Sequence, residues 1–182
     1  MSATSPELSR EALARRIAEV ALLRGEFTLR SGRKSSYYLD KYLFETQPDI
    51  LMALGKAFAA MLPPETDRLA GPELGAVALA AATAMHAKLP FVLVRNSKKG
   101  YGSSKLVEGT LKAGDKVVII EDILTTGGQI VEAAKTLEAA GATVIKMIGT
   151  IDRLEGAREN IEAAGYSYAS LFTTADLGIK PE

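Results

Sequence analysis

The pattern of apolar and polar positions predicts an α/β protein. From about residue 46 onward, segments with apolar residues at helical spacing alternate with short β-branched runs. The predicted helices cover residues 46–61, 75–88, 155–164 and a segment ending at Gly141, and the predicted strands lie at or near residues 68–70, 91–95, 117–120, 143–151 and 166–172. This alternation is typical of a central, mostly parallel sheet flanked by crossover helices.

The N-terminal part of the chain has a different pattern. Ser5 and Pro6 predict the N-cap and first turn of a helix whose apolar residues recur until Gly25. Residues 27–30 and 35–42 are aromatic, β-rich runs on either side of a Ser-Gly-Arg-Lys segment, which predicts a hairpin. We expect this hairpin to form a hood beside the α/β core.

Length and composition favour one domain. The chain has 182 residues and 47% hydrophobic content, enough for one well-buried core. We expect a single domain over residues 1–182, with the helix and hood at residues 1–45 and the α/β core at residues 46–182. The absence of cysteine excludes a disulfide scaffold, a thiolate metal site and a cysteine nucleophile.

The charge balance and the hydropathy limit the classes of partner that we expect the protein to bind. Lysine plus arginine (22) equal aspartate plus glutamate (22), so no global field attracts nucleic acid or an anionic membrane. The chain shows no signal peptide and no apolar stretch long enough to span a membrane. We therefore expect a cytoplasmic protein that binds neither nucleic acid nor membrane.

Residues 117–129 carry the most specific chemistry of the chain. Glu121 and Asp122 follow an apolar run at the carboxyl end of a predicted strand, where open α/β sheets bind ligands. The segment Thr125 to Gly128 then offers hydroxyl and backbone N–H donors at the start of a helix, where an anion is favoured. Carboxylates repel a phosphate but accept hydrogen bonds from ribose hydroxyls. The segment therefore predicts a site for a phosphorylated sugar.

This order of four apolar residues, two acids and a Thr-Gly-rich turn resembles the ribose-phosphate signature of type I phosphoribosyltransferases. Each feature alone has a simpler interpretation, because such a turn can merely cap a helix and an acid pair can be a solvated strand end. Their occurrence together and in order favours ligand binding.

A cationic segment follows the strand predicted at residues 91–95. Arg95, Lys98 and Lys99 lie close to Gly100 and Gly102, in a stretch longer than a simple connection needs. Beside a phosphoribosyl site, these cations can neutralise a departing pyrophosphate, and the glycines let the loop exclude water. A solvated basic loop is the alternative interpretation.

Three segments resemble orotate phosphoribosyltransferases in particular. Residues 27–40 resemble the N-terminal hairpin of that family, and residues 95–109 resemble its catalytic loop, which ends in Glu-Gly. Asp152 and Arg153 match its Asp-Arg pair at a strand end, where the resemblance implies that the arginine meets orotate. A guanidinium binds the orotate carboxylate through charge-assisted hydrogen bonds, whereas purines and uracil have no carboxylate. Arg153 alone could be an exposed strand-end residue.

The resemblance implies the site residues. Lys99 and Asp122 are the expected catalytic residues, with Lys99 stabilising charge on the departing oxygen. The expected substrate-binding residues are Arg30, Tyr38, Leu39, Leu74, Gly75, Arg95, Asn96, Lys98, Lys99, Tyr101, Glu121, Asp122, Thr125, Thr126, Gly127, Gly128, Gln129 and Arg153. Within this set, Tyr38 and Leu39 are expected against the pyrimidine ring and Gly75 on the pyrophosphate side.

The resemblance also implies an activity. The enzyme would transfer the phosphoribosyl group of phosphoribosyl pyrophosphate (PRPP) to orotate in de novo pyrimidine (UMP) synthesis. It would use Mg²⁺ without direct protein ligands and work as a homodimer, in which the loop of one subunit completes the neighbouring site. A phosphoribosyltransferase for another base and a non-catalytic PRPP-sensing regulator are the alternatives.

The chain departs from the family pattern at three positions. Many members carry lysine after the loop arginine and another in the segment that begins at Gly71, where this chain has Asn96 and Gly75. Lys98 is a candidate replacement for the lost pyrophosphate contacts. Tyr101 stands where some members have histidine, and it keeps a donor hydroxyl without titrating near neutral pH.

Overall fold

The computed structural model describes residues 8–28, 32, 34–97 and 105–179. In chain order its elements are α1 (Arg10–Ala21), β1 (Leu22–Thr28), β2 (Lys34–Leu39), α2 (Lys41–Glu45), α3 (Pro48–Ala59), β3 (Arg68–Pro72), α4 (Ala76–Ala87), β4 (Phe91–Val94), β5 (Val107–Glu108), β6 (Lys116–Leu124), α5 (Gly128–Ala139), β7 (Thr143–Asp152), α6 (Ala157–Ala163), β8 (Tyr168–Thr173) and a 3-10 helix (Thr174–Leu177).

Six strands form the central sheet in the order β5-β4-β3-β6-β7-β8. All neighbouring pairs are parallel except β4 with the short edge strand β5. The predicted α/β architecture with a mostly parallel sheet is therefore confirmed. The carboxyl ends of the parallel strands meet at one edge, which brings the segments after β3, β4, β6 and β7 together.

Strand β6 is buried on both faces, as its continuous apolar run predicts. Val118 and Ile120 pack in one core cluster with residues of α1, α3 and α4, while Val117 and Ile119 pack in a second cluster with residues of α5. The sheet therefore lies between two helical layers, and β6 carries its acid pair into the interior of the protein.

The N-terminal helix is shorter than predicted. Leu8 and Ser9 are not helical, and Ser9 is the N-cap whose hydroxyl accepts from the Ala12 N–H at 3.2 Å, so the predicted start near Ser5 is wrong. The predicted end at Gly25 is also wrong, because residues 22–25 belong to β1, and residues 22–24 pair with β2. Cross-strand hydrogen bonds override the helical spacing there.

The antiparallel β1–β2 pair confirms the predicted hairpin, which forms a separate two-stranded sheet. Its second strand ends earlier than predicted, since Tyr42 lies in α2.

Two further boundaries also differ from the prediction. Strand β6 continues past the acids to Leu124 because Glu121 and Ile123 pair with β7, and the segment predicted as a loop contains β5. Within the described ranges, no helix has the length and apolar character that crossing a membrane requires.

Candidate active site

The acid pair on β6 is buried and held by hydrogen bonds. Asp122 Oδ2 accepts from Lys41 Nζ at 2.6 Å, and Asp122 Oδ1 accepts from the Ile123 N–H at 2.6 Å. Glu121 Oε1 accepts from the Asp122 N–H at 3.0 Å. Both side chains are therefore fixed inside the protein, which rules out the alternative of a solvated strand end.

A third carboxyl group, that of Glu45 on α2, joins this cluster. Glu45 is 3% exposed, and its Oε1 has no hydrogen-bond partner among the described residues. Burial, and then the charge of Asp122, raises the pKa of Glu45 to about 8. The same two causes raise the pKa of Glu121 well above its ordinary value. Glu45 is therefore favoured in its protonated form at neutral pH.

Lys41 supplies positive charge to this cluster. Burial opposes its charge, but the hydrogen bond and charge of Asp122, with the charges of Glu45 and Glu121, outweigh that effect and raise the pKa of Lys41. Sequence reasoning missed Lys41 and Glu45. The available signal was a charged pair on either side of an aromatic and apolar run, residues 42–44, directly after the hairpin.

Gly75 approaches the cluster from the segment that follows β3. A Cβ atom on Gly75 would overlap Asp122 Oδ2 and lie 2.8 Å from Glu45 Oε1. Any side chain at this position would displace a carboxylate, which explains why the chain carries glycine here. The preceding residue, Leu74, is 70% exposed beside this turn.

A cleft of about 400 Å³ opens above the acid pair. Its lining includes Lys41, Glu73, Arg95, Asn96, Glu121, Asp122, Gly128 and Gln129. The Asn96 N–H donates to Glu73 Oε1 at 2.8 Å, and Asn96 Nδ2 donates to the Glu73 carbonyl at 3.1 Å. Arg95 lies 3.6 Å from the other oxygen of the Glu73 carboxylate. These contacts join the segments after β3 and β4 into one wall of the cleft.

The Thr-Gly-rich turn between β6 and α5 encloses a smaller cavity of about 80 Å³. Gly127 has a φ of 76°, and a Cβ there would lie 3.0 Å from Ile161 Cγ1, so the turn needs glycine for both conformation and space. Asn160 Nδ2 donates to the Thr126 carbonyl at 2.8 Å and supports the turn from α6. The cavity lies at the N-terminus of α5, an arrangement that favours an anion.

Arg153 follows β7 on the next strand of the sheet. Its backbone N–H donates to the Leu124 carbonyl at 2.9 Å, which places it beside the Thr-Gly turn. Arg153 Nε lies 3.1 Å from Glu155 Oε1, and the guanidinium carbon is 5.9 Å from the ring centroid of Tyr37. The hood hairpin therefore contributes an aromatic face to the arginine.

The two tyrosines of β2 point to opposite sides. Tyr38 is 45% exposed, and its ring lies 5.7 Å from that of Phe27, whereas Leu39 is buried in the core. Tyr37 faces Arg153 instead. Sequence reasoning missed Tyr37, although the alternation of a strand places it on the same side as Ser35 and Leu39, which are both buried.

Comparison with known proteins decides the family. A family model described as a phosphoribosyl transferase domain matches residues 43–166. The orotate phosphoribosyltransferase of Methanocella arvoryzae is 46% identical over 158 residues, which cover 86% of this chain and 90% of that protein. The chain belongs to the orotate phosphoribosyltransferase family. The predicted family is thereby confirmed.

Solved structures agree with this assignment to the orotate phosphoribosyltransferase family. The crystal structure of Mycobacterium tuberculosis orotate phosphoribosyltransferase in complex with PRPP has a TM-score of 0.78 and 30% identity, and the match covers 93% of this chain and 99% of that one. Adenine phosphoribosyltransferase from Leishmania donovani shares the fold, with a TM-score of 0.70 and 20% identity over 97% of this chain and 87% of that one. The fold alone therefore does not specify the base.

Most residues implied by the family resemblance lie in the described part of the chain. The structure brings Arg95, Asn96, Glu121, Asp122, Gly128 and Gln129 to the cleft, with Gly75 against the acid pair. Thr125, Thr126 and Gly127 join Gly128 and Gln129 around the turn cavity, and Arg153 lies beside that turn. Arg30, Lys98, Lys99 and Tyr101 lie outside the described residues.

The raised pKa of Glu45 predicts a pH-dependent stability. Glu45 ionises near its ordinary value of 4.5 in the unfolded chain but near 8 in the folded protein. Between these values the folded state holds a proton that the unfolded state has lost, so its contribution to stability falls as the pH rises. The variant Glu45→Gln cannot ionise. The unfolding free energy of this variant, taken relative to that of wild type, should therefore increase by about 3 kcal/mol between about pH 5.5 and about pH 8.

Urea unfolding of both proteins at several pH values measures this difference. The matched control is Glu159→Gln on α6, where the glutamate is exposed and the difference from wild type should stay constant with pH. A constant difference for Glu45→Gln as well would show that Glu45 ionises normally in the folded protein.

Proposed function

We propose that the protein transfers the phosphoribosyl group of PRPP to orotate, which gives orotidine 5′-monophosphate and pyrophosphate in de novo pyrimidine (UMP) synthesis. The observation that carries this proposal is the position of Arg153, whose backbone N–H donates to the Leu124 carbonyl just before the Thr-Gly turn and whose guanidinium lies near the ring of Tyr37. A base that bears a carboxylate is the natural partner of a guanidinium in that position. The orotate phosphoribosyltransferase family of the chain supports the same substrate.

We propose that PRPP lies along the carboxyl ends of β6 and β3. The cavity of residues 125–129 would take its 5-phosphate, because hydroxyl and N–H donors meet there at the start of α5. Glu121 and Asp122 line the adjoining cleft and would accept hydrogen bonds from the ribose hydroxyls. The pyrophosphate would then extend toward Gly75 and Arg95.

In the proposed reaction, the bond between the anomeric carbon and the pyrophosphate oxygen breaks, and a bond to a ring nitrogen of orotate forms, while the proton of that nitrogen passes to the departing pyrophosphate or to water. The sugar passes through a cationic state that water would capture, so the site must exclude water. Lys99 is proposed to stabilise the charge on the departing oxygen, and the loop that carries it is proposed to close the site. Asp122 would bind the ribose hydroxyls while the anomeric carbon of the ribose exchanges its bond to pyrophosphate for a bond to orotate.

We propose that Mg²⁺ enters with PRPP, held by oxygens of the donor and by water, as is common for this ion at phosphate sites. When bound it neutralises phosphate charge and favours departure of the pyrophosphate. The residues at the cleft fit such a substrate, because the carboxylates of Glu121 and Asp122 lie where they can accept hydrogen bonds from magnesium-bound water.

We further propose a cytoplasmic homodimer in which the catalytic loop within residues 95–109 of one subunit completes the site of its neighbour. The family resemblance supports this arrangement. The short strand β5 holds the chain after this segment at the sheet edge, next to β4. Mixing an inactive Lys99→Ala subunit with an inactive Asp122→Asn subunit would then restore part of the activity in heterodimers, whereas a self-contained site would restore none.

The direct test is to mix the purified protein with PRPP, Mg²⁺ and orotate and to follow orotate absorbance, with uracil, hypoxanthine and adenine in parallel trials. Consumption of orotate alone supports the proposal. Consumption of another base would keep the phosphoribosyl chemistry and overturn the role of Arg153. PRPP binding without turnover of any base would favour a sensor instead of an enzyme.

A further inference from the structure

Lys41 is a cation in the cleft that the family resemblance did not indicate. It is the first residue of α2, and its Nζ lies 2.6 Å from Asp122 Oδ2. The Lys41 side chain is 31% exposed, whereas that of Asp122 is 5% exposed. The ammonium group therefore sits between a buried carboxylate and the open volume of the cleft, where a ligand can reach it.

The neighbourhood of Gly75 shows which part of the cleft Lys41 serves. A Cβ on Gly75 would overlap Asp122 Oδ2, the same oxygen that accepts from Lys41. The ammonium therefore occupies the side of the acid pair that faces the segment after β3. The family resemblance implies lysines at the positions of Gly75 and Asn96, and this chain has neither. Asn96 instead uses its side-chain amide to donate to the Glu73 carbonyl.

We propose that Lys41 binds the pyrophosphate group of PRPP and replaces the lysines absent at Asn96 and Gly75. This inference rests on the proposed function and assigns a further residue to the same site. An ammonium group has three donors. Lys41 can keep its hydrogen bond to Asp122 and direct the others to pyrophosphate oxygens in the cleft. In this arrangement the positive charge that Lys41 brings to the pyrophosphate comes from α2, whereas the absent lysines would lie in the segments that follow β3 and β4.

The competing interpretation is that Lys41 only neutralises the acid pair. The two roles differ in the ligand that they affect. A lysine that acts solely through Asp122 would influence the ribose hydroxyls, and hence any ribose-containing ligand. A lysine that contacts pyrophosphate would influence pyrophosphate and PRPP, but would leave ribose 5-phosphate largely unaffected.

Calorimetric titration of Lys41→Met with magnesium pyrophosphate, PRPP and ribose 5-phosphate separates these roles. We expect the affinity for pyrophosphate and PRPP to fall by about 10- to 100-fold, the range of one charge-assisted hydrogen bond. Ribose 5-phosphate should bind within about threefold of wild type, by the same reasoning. The conservative Lys41→Arg variant should restore part of the pyrophosphate affinity.

The matched control is Lys135→Met. Lys135 also lies 2.6 Å from a carboxylate, that of Glu132, but on the exposed surface of α5, with 62% of its side chain exposed. All three affinities should match wild type in this variant. If Lys41→Met does not fold, Lys41→Gln gives the same comparison, because it removes the charge but keeps a donor for Asp122.

Two outcomes would overturn the inference. A loss of affinity for ribose 5-phosphate that equals or exceeds the loss for pyrophosphate would mean that Lys41 acts by neutralising Asp122 and not by a contact to pyrophosphate. An unchanged pyrophosphate affinity would mean that Lys41 does not contact this group. Failure of the wild-type protein to bind PRPP is a separate result, since it would overturn the proposed function itself before any Lys41 variant is compared.

Discussion

Replacing Arg153 with methionine is expected to lower kcat/KM for orotate by about 100-fold, the effect of losing a paired, charge-assisted contact to a carboxylate. PRPP affinity should stay near the wild-type value, because Arg153 lies after β7, on the far side of the Thr-Gly turn from the cleft wall formed by Glu73 and Asn96. Steady-state kinetics with orotate varied at saturating PRPP would measure the loss.

The matched control for this substitution is Arg158→Met. Arg158 also stacks on a tyrosine, with its guanidinium carbon 5.1 Å from the ring centroid of Tyr168, but it belongs to α6 and its side chain is 63% exposed. Its kinetics should match wild type. The Tyr37→Leu variant should raise KM for orotate moderately, since it removes the face against which Arg153 rests. Unchanged orotate kinetics in Arg153→Met would remove this residue from base recognition.

The Lys99→Ala enzyme is expected to lose about 100- to 1000-fold in kcat, the usual effect of removing one group that stabilises charge in the transition state. The fold should be unaffected, so the urea unfolding midpoint should match wild type. PRPP affinity should change much less than kcat, because the charge on the departing oxygen develops only as the bond breaks. Single-turnover measurements would isolate the chemical step.

Lys105→Ala is the matched control for Lys99→Ala. Lys105 is an exposed lysine at the end of the same cationic segment, just before β5. Its removal lowers the charge of the segment by the same amount but leaves Lys99 in place. A similar loss in both variants would indicate a general effect of loop charge. An unchanged kcat in Lys99→Ala would exclude Lys99 from the mechanism.

The chemistry at the carboxyl ends of the strands could be predicted from the sequence because local patterns determine it. The apolar run before Glu121 identifies a strand buried on both faces, and the two glycines after Thr126 identify a turn at the start of a helix. In a parallel sheet such turns share one edge. The position of Arg153 near this edge follows from the same reasoning, one strand further along.

The rest of the site depends on contacts between distant residues. Lys41 and Asp122 are 81 positions apart, and no periodicity links them. The burial of Glu45 likewise results from packing of the N-terminal segment on the core. The end of α1 was mispredicted for a related reason, since apolar residues 20–23 fit a helix until their pairing with β2 is known. Tyr37 is different, because strand alternation alone could have identified it.

The strand order has a consequence for how the two ends of PRPP are recognised. Strands β3 and β6 are neighbours, but β4 extends the sheet on one side and β7 and β8 extend it on the other. Under the proposed placement, pyrophosphate is held by Lys41 and residues 72–96, and the ribose 5-phosphate part of the donor is held by residues 121–129. The two ends of the donor therefore contact different segments of the chain. Hydrogen exchange should slow mainly around Lys41 and in residues 72–96 with pyrophosphate alone, and mainly in residues 121–129 with ribose 5-phosphate.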